Sequence, residues 1–340
     1  MGRRGASDPK YVKIGALEET KLLYRDHMAI AKRRLGRTNL MVSAISLGTV
    51  ELGMRYGIAP VGQDEKPGEE QAARLLNRAL DLGVNYIDTA RAYGDSEAII
   101  GRSIASRREE FVLASKVPSF HREDLTSKEL RKRAGIAVED SLRALKTNVI
   151  DIMMIHCAPD LEFDHEVLLD ALDAERIAGR IRFIGASVYG EDAALKAILS
   201  GHCDAIQIAY SVLDRRPESR VLPAAMAHDV GIVARSVLLK GALTNRASQL
   251  PDSLAELKEA AMRMEAAADG MAGGLPELAY RYVLAHLGVH TALVGTGRIE
   301  ELEAAVGYAG QPELPSQALA RIREVAVRDE RLLNPGNWSL

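Results

Sequence analysis

The chain has 340 residues, 47% of them hydrophobic and 27% charged, with a formal net charge of −3. This is enough apolar sequence for one large core, and the balance of charges supplies no basic face for nucleic acid. Two cysteines exclude a disulfide framework, and no apolar run reaches the ~18 residues of a membrane span, so we expect a cytoplasmic protein without a membrane partner.

The N-terminal part of the chain contains two predicted units. Residues 1–31 are interpreted as an N-terminal extension, and their apolar spacing at 16–31 indicates an amphipathic helix. Residues 32–43 then alternate apolar and polar positions around a Gly-Arg-Thr-Asn turn, which predicts a β-hairpin. We expect this hairpin to cover one end of the domain that follows.

Eight short apolar runs follow, with segments of helical apolar spacing between most of them, such as 70–82 and 166–177. The runs are residues 45–50, 84–89, 111–117, 149–156, 181–188, 205–211, 231–237 and 291–297. Eight strand–helix units in roughly 270 residues match a closed barrel of parallel strands. A doubly wound dinucleotide-binding sheet fits less well, because no G-x-G-x-x-G motif follows the first run.

Two helical stretches, 251–268 and 315–332, exceed these eight units. Extra helices of this kind commonly cover the rim of a barrel. The fold prediction is therefore an α/β protein, a (β/α)8 TIM barrel with an N-terminal β-hairpin and two extra helices. One domain is expected over residues 32–340.

Polar side chains at strand ends are the first candidates for chemistry, because barrel enzymes act at the C-terminal ends of their strands. Asp88, Lys116 and His156 lie at or one residue before the ends of the second, third and fourth runs, and Tyr93 follows Asp88 in the loop. Each has a structural interpretation when taken singly, as a buried ion pair or a core histidine. Together, an ammonium beside the phenol lowers the pKa of Tyr93, the carboxylate keeps the lysine charged, and the imidazole orients a substrate carbonyl.

A metal site is not expected. His286 and His290 are four residues apart, but Gly288 ends the helix between them, so they do not share a helical face. A third histidine or a glutamate at ligand spacing is also missing from this stretch.

The order of several motifs resembles the aldo-keto reductase superfamily over residues 32–333. The matching segments are residues 33–38, 47–49, 83–90, 93–97, 114–116 and 155–156. The resemblance implies that Tyr93 is the general acid, that Lys116 lowers its pKa, and that Asp88 is the partner of this lysine. It also implies that His156 orients the carbonyl and that a nicotinamide cofactor supplies the hydride.

The same resemblance implies a set of cofactor-binding residues. These are Ser187, Gln207 and Tyr210 for the nicotinamide, Ser236 and Lys240 for the pyrophosphate, and Gly295, Thr296 and Arg298 for the adenosine phosphate. Three positions depart from the family pattern: Val188 and Ala305 stand where asparagine is usual, and Glu301 replaces a basic residue. NADP is the expected cofactor because of Arg298, with NAD as the alternative.

The function predicted from these features is NAD(P)H-dependent interconversion of a small aldehyde or ketone and an alcohol. A hydroxylated, sugar-like substrate is expected, since only 4% of residues are aromatic and Cys157 stands where many family members have tryptophan. One alternative is a cofactor-binding regulatory subunit that acts through a protein partner. Another is a sugar-modifying enzyme that uses a bound cofactor transiently.

Overall fold

Eight parallel strands form a closed barrel in the computed structural model, which describes residues 30–58, 66–121, 123–159, 163 and 166–338. The barrel strands are β3 (Ile45–Gly48), β4 (Tyr86–Asp88), β5 (Val112–Pro118), β6 (Ile150–Ala158), β7 (Ile181–Val188), β8 (Ala205–Ala209), β9 (Gly231–Arg235) and β10 (Thr291–Gly295). They pair in chain order, and β10 closes the barrel by pairing with β3. The predicted (β/α)8 barrel is therefore confirmed.

The strands are continuous apolar runs because both of their faces are covered. The first six residues of β6 are all buried, since alternate side chains face the barrel interior and the surrounding helices. The interior is filled by a layer that includes Tyr86, Ala114, Ile152 and Val233. It is a packed core, which leaves the C-terminal ends of the strands as the place for a site.

Helices surround the barrel. Those in the described residues are α1 (Val50–Gly53), α2 (Glu69–Asp81), α3 (Ser96–Ser103), α4 (Ser127–Leu145), α5 (Val167–Ile177), α6 (Glu191–Leu199), α7 (Val221–Ala227), α8 (Ala255–Glu265), α9 (Gly274–Ala285), α10 (Ile299–Ala309) and α11 (Ser316–Glu324). A capping box of Thr126 and Glu129 starts α4. None of these helices is long and apolar enough to cross a membrane.

The predicted hairpin is present as β1 (Lys32–Arg34) and β2 (Met41–Ser43), which pair antiparallel. It closes the N-terminal end of the barrel, where Leu35 is fully buried in the interior layer. Arg37 pairs with Asp204, which precedes β8, at 3.0 Å. Arg33 donates to the backbone carbonyls of Leu284, in α9, and of Val289, just before β10.

The two extra helices are α8 and α11. The second ends at Glu324, whereas the sequence predicts helix to residue 332. Arg215 donates to the carbonyls of Ile322 and Val325, and Val325 takes an extended conformation. The Arg215 side chain thus supplies the hydrogen bonds that these carbonyls would otherwise lack at the end of the helix. The helix can therefore end at Glu324. Residues 1–29, with most of the helix predicted at 16–31, lie outside the described residues.

Candidate active site

Three of the four predicted catalytic residues line one cavity of about 720 Å³ at the C-terminal ends of the strands. Asp88 ends β4, Tyr93 lies in the loop before α3, and His156 lies near the end of β6. The fourth, Lys116 in β5, is buried and contacts Asp88 directly. The structure therefore brings the predicted group of four together.

Lys116 and Asp88 form a buried ion pair. The ammonium donates to Asp88 Oδ2 at 2.6 Å and to the carbonyl of Thr89 at 3.0 Å, while Gln207 Nε2 donates to the other Asp88 oxygen at 2.8 Å. Burial lowers the pKa of Lys116, but Asp88 and Tyr93 more than offset it, so its pKa is raised above the ordinary value. Lys116 is therefore an ammonium ion at neutral pH.

Tyr93 lies between Lys116 and His156. The lysine ammonium is 4.8 Å from the centre of its ring, and the His156 ring meets it edge-on, with centroids 5.5 Å apart. Burial raises the pKa of Tyr93 above its ordinary value, and Lys116 opposes this only in part. The predicted lowering of this pKa is wrong for the structure, because desolvation outweighs the ammonium. The hydroxyl consequently keeps its proton at neutral pH and has one to donate.

His156 is a neutral imidazole. Burial, and then the charges of Lys116 and Arg235, lower its pKa to about 3. A neutral ring presents one N–H donor and one acceptor nitrogen, and only the donor can bond a carbonyl oxygen. His156 can therefore orient a carbonyl beside Tyr93 without adding a charge.

The depressed pKa of His156 predicts a dependence of stability on pH. The unfolded chain takes up this proton near pH 6.5, whereas the folded protein resists it down to about 3. The stabilising contribution is complete above about pH 6.5 and is lost as the pH falls toward 3. We expect His156→Gln to reduce the fall in the free energy of unfolding between about pH 7 and about pH 5, measured with urea. An equal fall in both proteins would contradict a buried neutral imidazole.

The loop that carries Tyr93 approaches α1 backbone to backbone. A Cβ on Gly53 would lie 1.7 Å from the Tyr93 carbonyl oxygen, and one on Gly94 would lie 2.5 Å from the Gly53 oxygen. Gly94 also has a φ of +54°, in the left-handed region that glycine adopts without strain. Ser96 then donates to the carbonyl of Thr49 at 3.0 Å. These contacts fix the position of Tyr93 relative to β3.

We therefore expect Gly53→Ala to displace Tyr93 and to lower kcat by at least about tenfold, because small misplacements of reacting groups are costly. The matched control is Gly307→Ala in α10, where an added Cβ has no atom within 4 Å. The control should retain full activity. Full activity in Gly53→Ala, with normal folding by circular dichroism, would show that this contact does not position Tyr93.

Five of the eight predicted cofactor-binding residues line the cavity: Ser187, Gln207, Ser236, Lys240 and Gly295. Ser187 Oγ donates to Gln207 Oε1 at 3.2 Å, so the two side chains form a fixed polar pair. The Lys240 ammonium donates to the Pro335 carbonyl at 2.6 Å and lies 5.9 Å from the centre of the Trp338 ring. It also lies 5.1 Å from the centre of the Tyr56 ring, which lines the cavity.

The structure places the other three residues differently from the prediction. Tyr210 is buried and donates to Glu218 at 2.8 Å, so its ring is absent from the described lining of the cavity. Thr296 is also outside that lining and donates to Glu301 at 2.6 Å. Arg298 lies 3.6 Å from the same Glu301 carboxylate. The described lining thus lacks these three side chains, and their contacts with a cofactor remain predictions.

Arg235 is a cavity residue that the sequence prediction missed. It ends β9, donates to the Val188 carbonyl at 2.8 Å and stacks on Tyr189, with 3.9 Å between its guanidinium carbon and the ring centre. Both side chains line the cavity. The rule that identified Lys116 and His156, a polar side chain at a strand end, also applies to Arg235.

Comparison with known proteins agrees with this geometry. The chain is 29% identical over 323 residues to L-galactose dehydrogenase of Arabidopsis thaliana, covering 90% of this chain and 95% of that protein. It is 28% identical over 333 residues to D-threo-aldose 1-dehydrogenase of a Pseudomonas species, covering 86% and 99%.

The solved holo form of an aldo-keto reductase from Bacillus halodurans has a similar fold. It superposes with a TM-score of 0.71 at 27% identity, covering 89% of this chain and 99% of that one. The sequence profile of the Aldo/keto reductase family matches residues 44–327. The chain therefore belongs to the aldo-keto reductase family.

Proposed function

We propose that the protein interconverts an aldehyde or ketone and an alcohol by hydride transfer, with Tyr93 as the general acid. One observation carries this proposal. A protonated Tyr93 and a neutral His156 meet at one cavity, and the buried ion pair of Lys116 and Asp88 lies against the tyrosine. Such an arrangement gives a proton donor and a hydrogen-bond donor at one carbonyl oxygen.

The cavity residues fit a nicotinamide dinucleotide, which supplies the hydride when bound. Ser187 and Gln207 present a hydroxyl and a fixed amide, groups that complement a carboxamide. Gly48 and Gly295, which pair across β3 and β10, line the same cavity without side chains. A volume of about 720 Å³ lies within the range for cofactor and ligand sites.

The roles of the four residues follow from their protonation states. In reduction, the carbonyl carbon receives the hydride and its oxygen receives the Tyr93 proton, which yields the alcohol. Lys116 stabilises the phenolate that remains, and Asp88 keeps Lys116 charged and oriented. In oxidation the same groups act in reverse, with the phenolate as the base.

A hydroxylated, sugar-like substrate suits the cavity. The cavity that contains His156 is also lined by Tyr56, Tyr189 and Arg235. The two tyrosines offer hydroxyl groups on flat aromatic rings, and the Arg235 guanidinium stacks on the Tyr189 ring. The names of two relatives, L-galactose dehydrogenase and D-threo-aldose 1-dehydrogenase, indicate sugar substrates for those proteins. A site built to pair hydroxyl groups discriminates strongly against compounds without them.

The test is a panel of aldoses, hydroxylated aldehydes and aromatic aldehydes, assayed in both directions with NAD(H) and NADP(H) by absorbance. We expect the largest kcat/KM among the hydroxylated compounds. A larger value for a bulky aromatic aldehyde than for every hydroxylated compound would refute the proposed substrate class. Cofactor binding without turnover of any carbonyl or alcohol would favour a regulatory role instead.

A further inference from the structure

A buried carboxylate lies behind the loop that carries Tyr93. Glu97, in the first turn of α3, is 1% exposed and is outside the described lining of the cavity. Its Oε1 accepts from the Ser115 hydroxyl at 2.6 Å, and its Oε2 accepts from the Arg91 guanidinium at 2.9 Å. A carboxylate is costly to bury unless it is paired and hydrogen-bonded, and this one is held at both oxygens.

These two hydrogen bonds join the loop of Tyr93 to the strand of Lys116. Arg91 precedes Tyr93 by two residues, and Ser115 directly precedes Lys116 in β5. Neighbouring side chains of a strand point to opposite faces, so Ser115 faces α3 while Lys116 faces the barrel interior. Glu97 therefore bridges the two backbone segments that carry the proton donor and its ammonium partner.

The residue before Glu97 holds the same segment on its other side. Ser96 donates to the Thr49 carbonyl, which follows β3. Since β3 and β5 flank β4, the segment after β4 is held toward both neighbouring strands. The link through Glu97 reaches the strand of Lys116, so it bears on the separation of the ammonium and the phenol.

We infer that Glu97 is a positioning residue that sets the distance between the Tyr93 phenol and the Lys116 ammonium. This inference rests on the proposed function, in which that ammonium stabilises the phenolate. The ammonium lies 4.8 Å from the centre of the tyrosine ring, and its attraction for a phenolate weakens as the distance grows. Loss of the bridge should slow proton transfer without removing a group that lines the cavity.

The inference is tested with Glu97→Ala and with Ser115→Ala, which removes one hydroxyl and keeps the pair of Glu97 and Arg91. We expect kcat for carbonyl reduction to fall at least about tenfold in Glu97→Ala and about threefold in Ser115→Ala, because small misplacements of reacting groups are costly. The dissociation constant of the reduced cofactor, measured by fluorescence, should be unchanged, since neither side chain belongs to the described lining.

The pH dependence of alcohol oxidation separates positioning from folding. In that direction the phenolate is the base, and the titratable and charged groups that face Tyr93 are Lys116, Asp88, Arg235 and His156. A more distant ammonium stabilises the phenolate less, so the pH midpoint of the rate should move upward by roughly one unit in Glu97→Ala. A loss of folded protein lowers the rate at every pH and leaves the midpoint in place.

The matched control is Glu175→Ala in α5. Glu175 is also buried and accepts from Arg180, whose side chain is 40% exposed, against 38% for that of Arg91. We expect this variant to lose stability toward urea, as Glu97→Ala does, because each leaves an arginine without its buried partner. The pH midpoint of Glu175→Ala should stay at the value of the unsubstituted protein.

If Glu97→Ala does not fold, the pH midpoint of Ser115→Ala decides. An unshifted midpoint in the folded variants of this bridge, or an equal shift in Glu175→Ala, would overturn the inference and leave the proposed oxidoreductase function intact. An unsubstituted protein that turns over no carbonyl or alcohol would overturn both.

Discussion

Tyr93→Phe should retain cofactor binding and lose carbonyl reduction by about 10²- to 10⁴-fold, the usual contribution of general acid catalysis. The substitution removes only the hydroxyl, and the phenyl ring keeps its contacts with Lys116 and His156. Two measurements are needed, namely kcat with the best substrate and the dissociation constant of the cofactor by fluorescence.

A matched control is Tyr280→Phe, which removes the hydroxyl of a buried tyrosine in the same cavity that donates to the carbonyl of Leu293 at 3.4 Å. We expect its kcat to stay within about tenfold of the unsubstituted protein, since no proton transfer is lost. Equal rates in Tyr93→Phe and the unsubstituted enzyme would refute the assignment of the acid.

Lys116→Met should affect both activity and stability. The substitution leaves Asp88 charged and buried, and an unpaired buried charge costs about 3–5 kcal/mol. It also removes the ammonium that stabilises the Tyr93 phenolate. Urea denaturation measures the first effect, and the rate of carbonyl reduction measures the second.

The double variant Lys116→Met/Asp88→Asn separates these two effects. It no longer buries an unpaired charge, so we expect it to regain part of the lost stability while it stays inactive. The control is Arg143→Met, whose ion pair with Asp140 is exposed and should contribute only about 0–1 kcal/mol. A stability loss as small as that of Arg143→Met would mean that Asp88 is not a buried charge in the folded protein.

The fold could be predicted from the sequence because both faces of each barrel strand are covered, which produces continuous apolar runs. The run predicted at 181–188 coincides with β7. The end of α11 could not be predicted, since it depends on the hydrogen bond from Arg215 to the Ile322 carbonyl. These two residues are more than a hundred positions apart in the chain. Local periodicity carries no information about such a tertiary contact.

The site was predicted in part. Asp88, Lys116 and His156 follow from the rule that chemistry lies at strand ends. Tyr210 lies outside the described lining of the cavity, in agreement with the alternation of side chains along a strand. Gln207 faces the cavity, and a residue three positions further along an extended chain points to the other side.

The pKa of Tyr93 shows a different limit. Its charged neighbours are visible in the sequence, and they predict a lowered value. The depth of burial, which raises it, is a property of the folded chain.

The contacts of Arg33 have a consequence for the way the chain is made. Its guanidinium bonds the Val289 carbonyl across 256 positions. At synthesis rates of about 5–20 residues per second, roughly ten to fifty seconds separate the two residues on the ribosome. Throughout that interval the hairpin has no barrel to close, and parallel strands await distant partners, a topology that folds slowly. The yield of correctly folded protein should therefore improve when a chaperone shields the unfinished barrel during this interval.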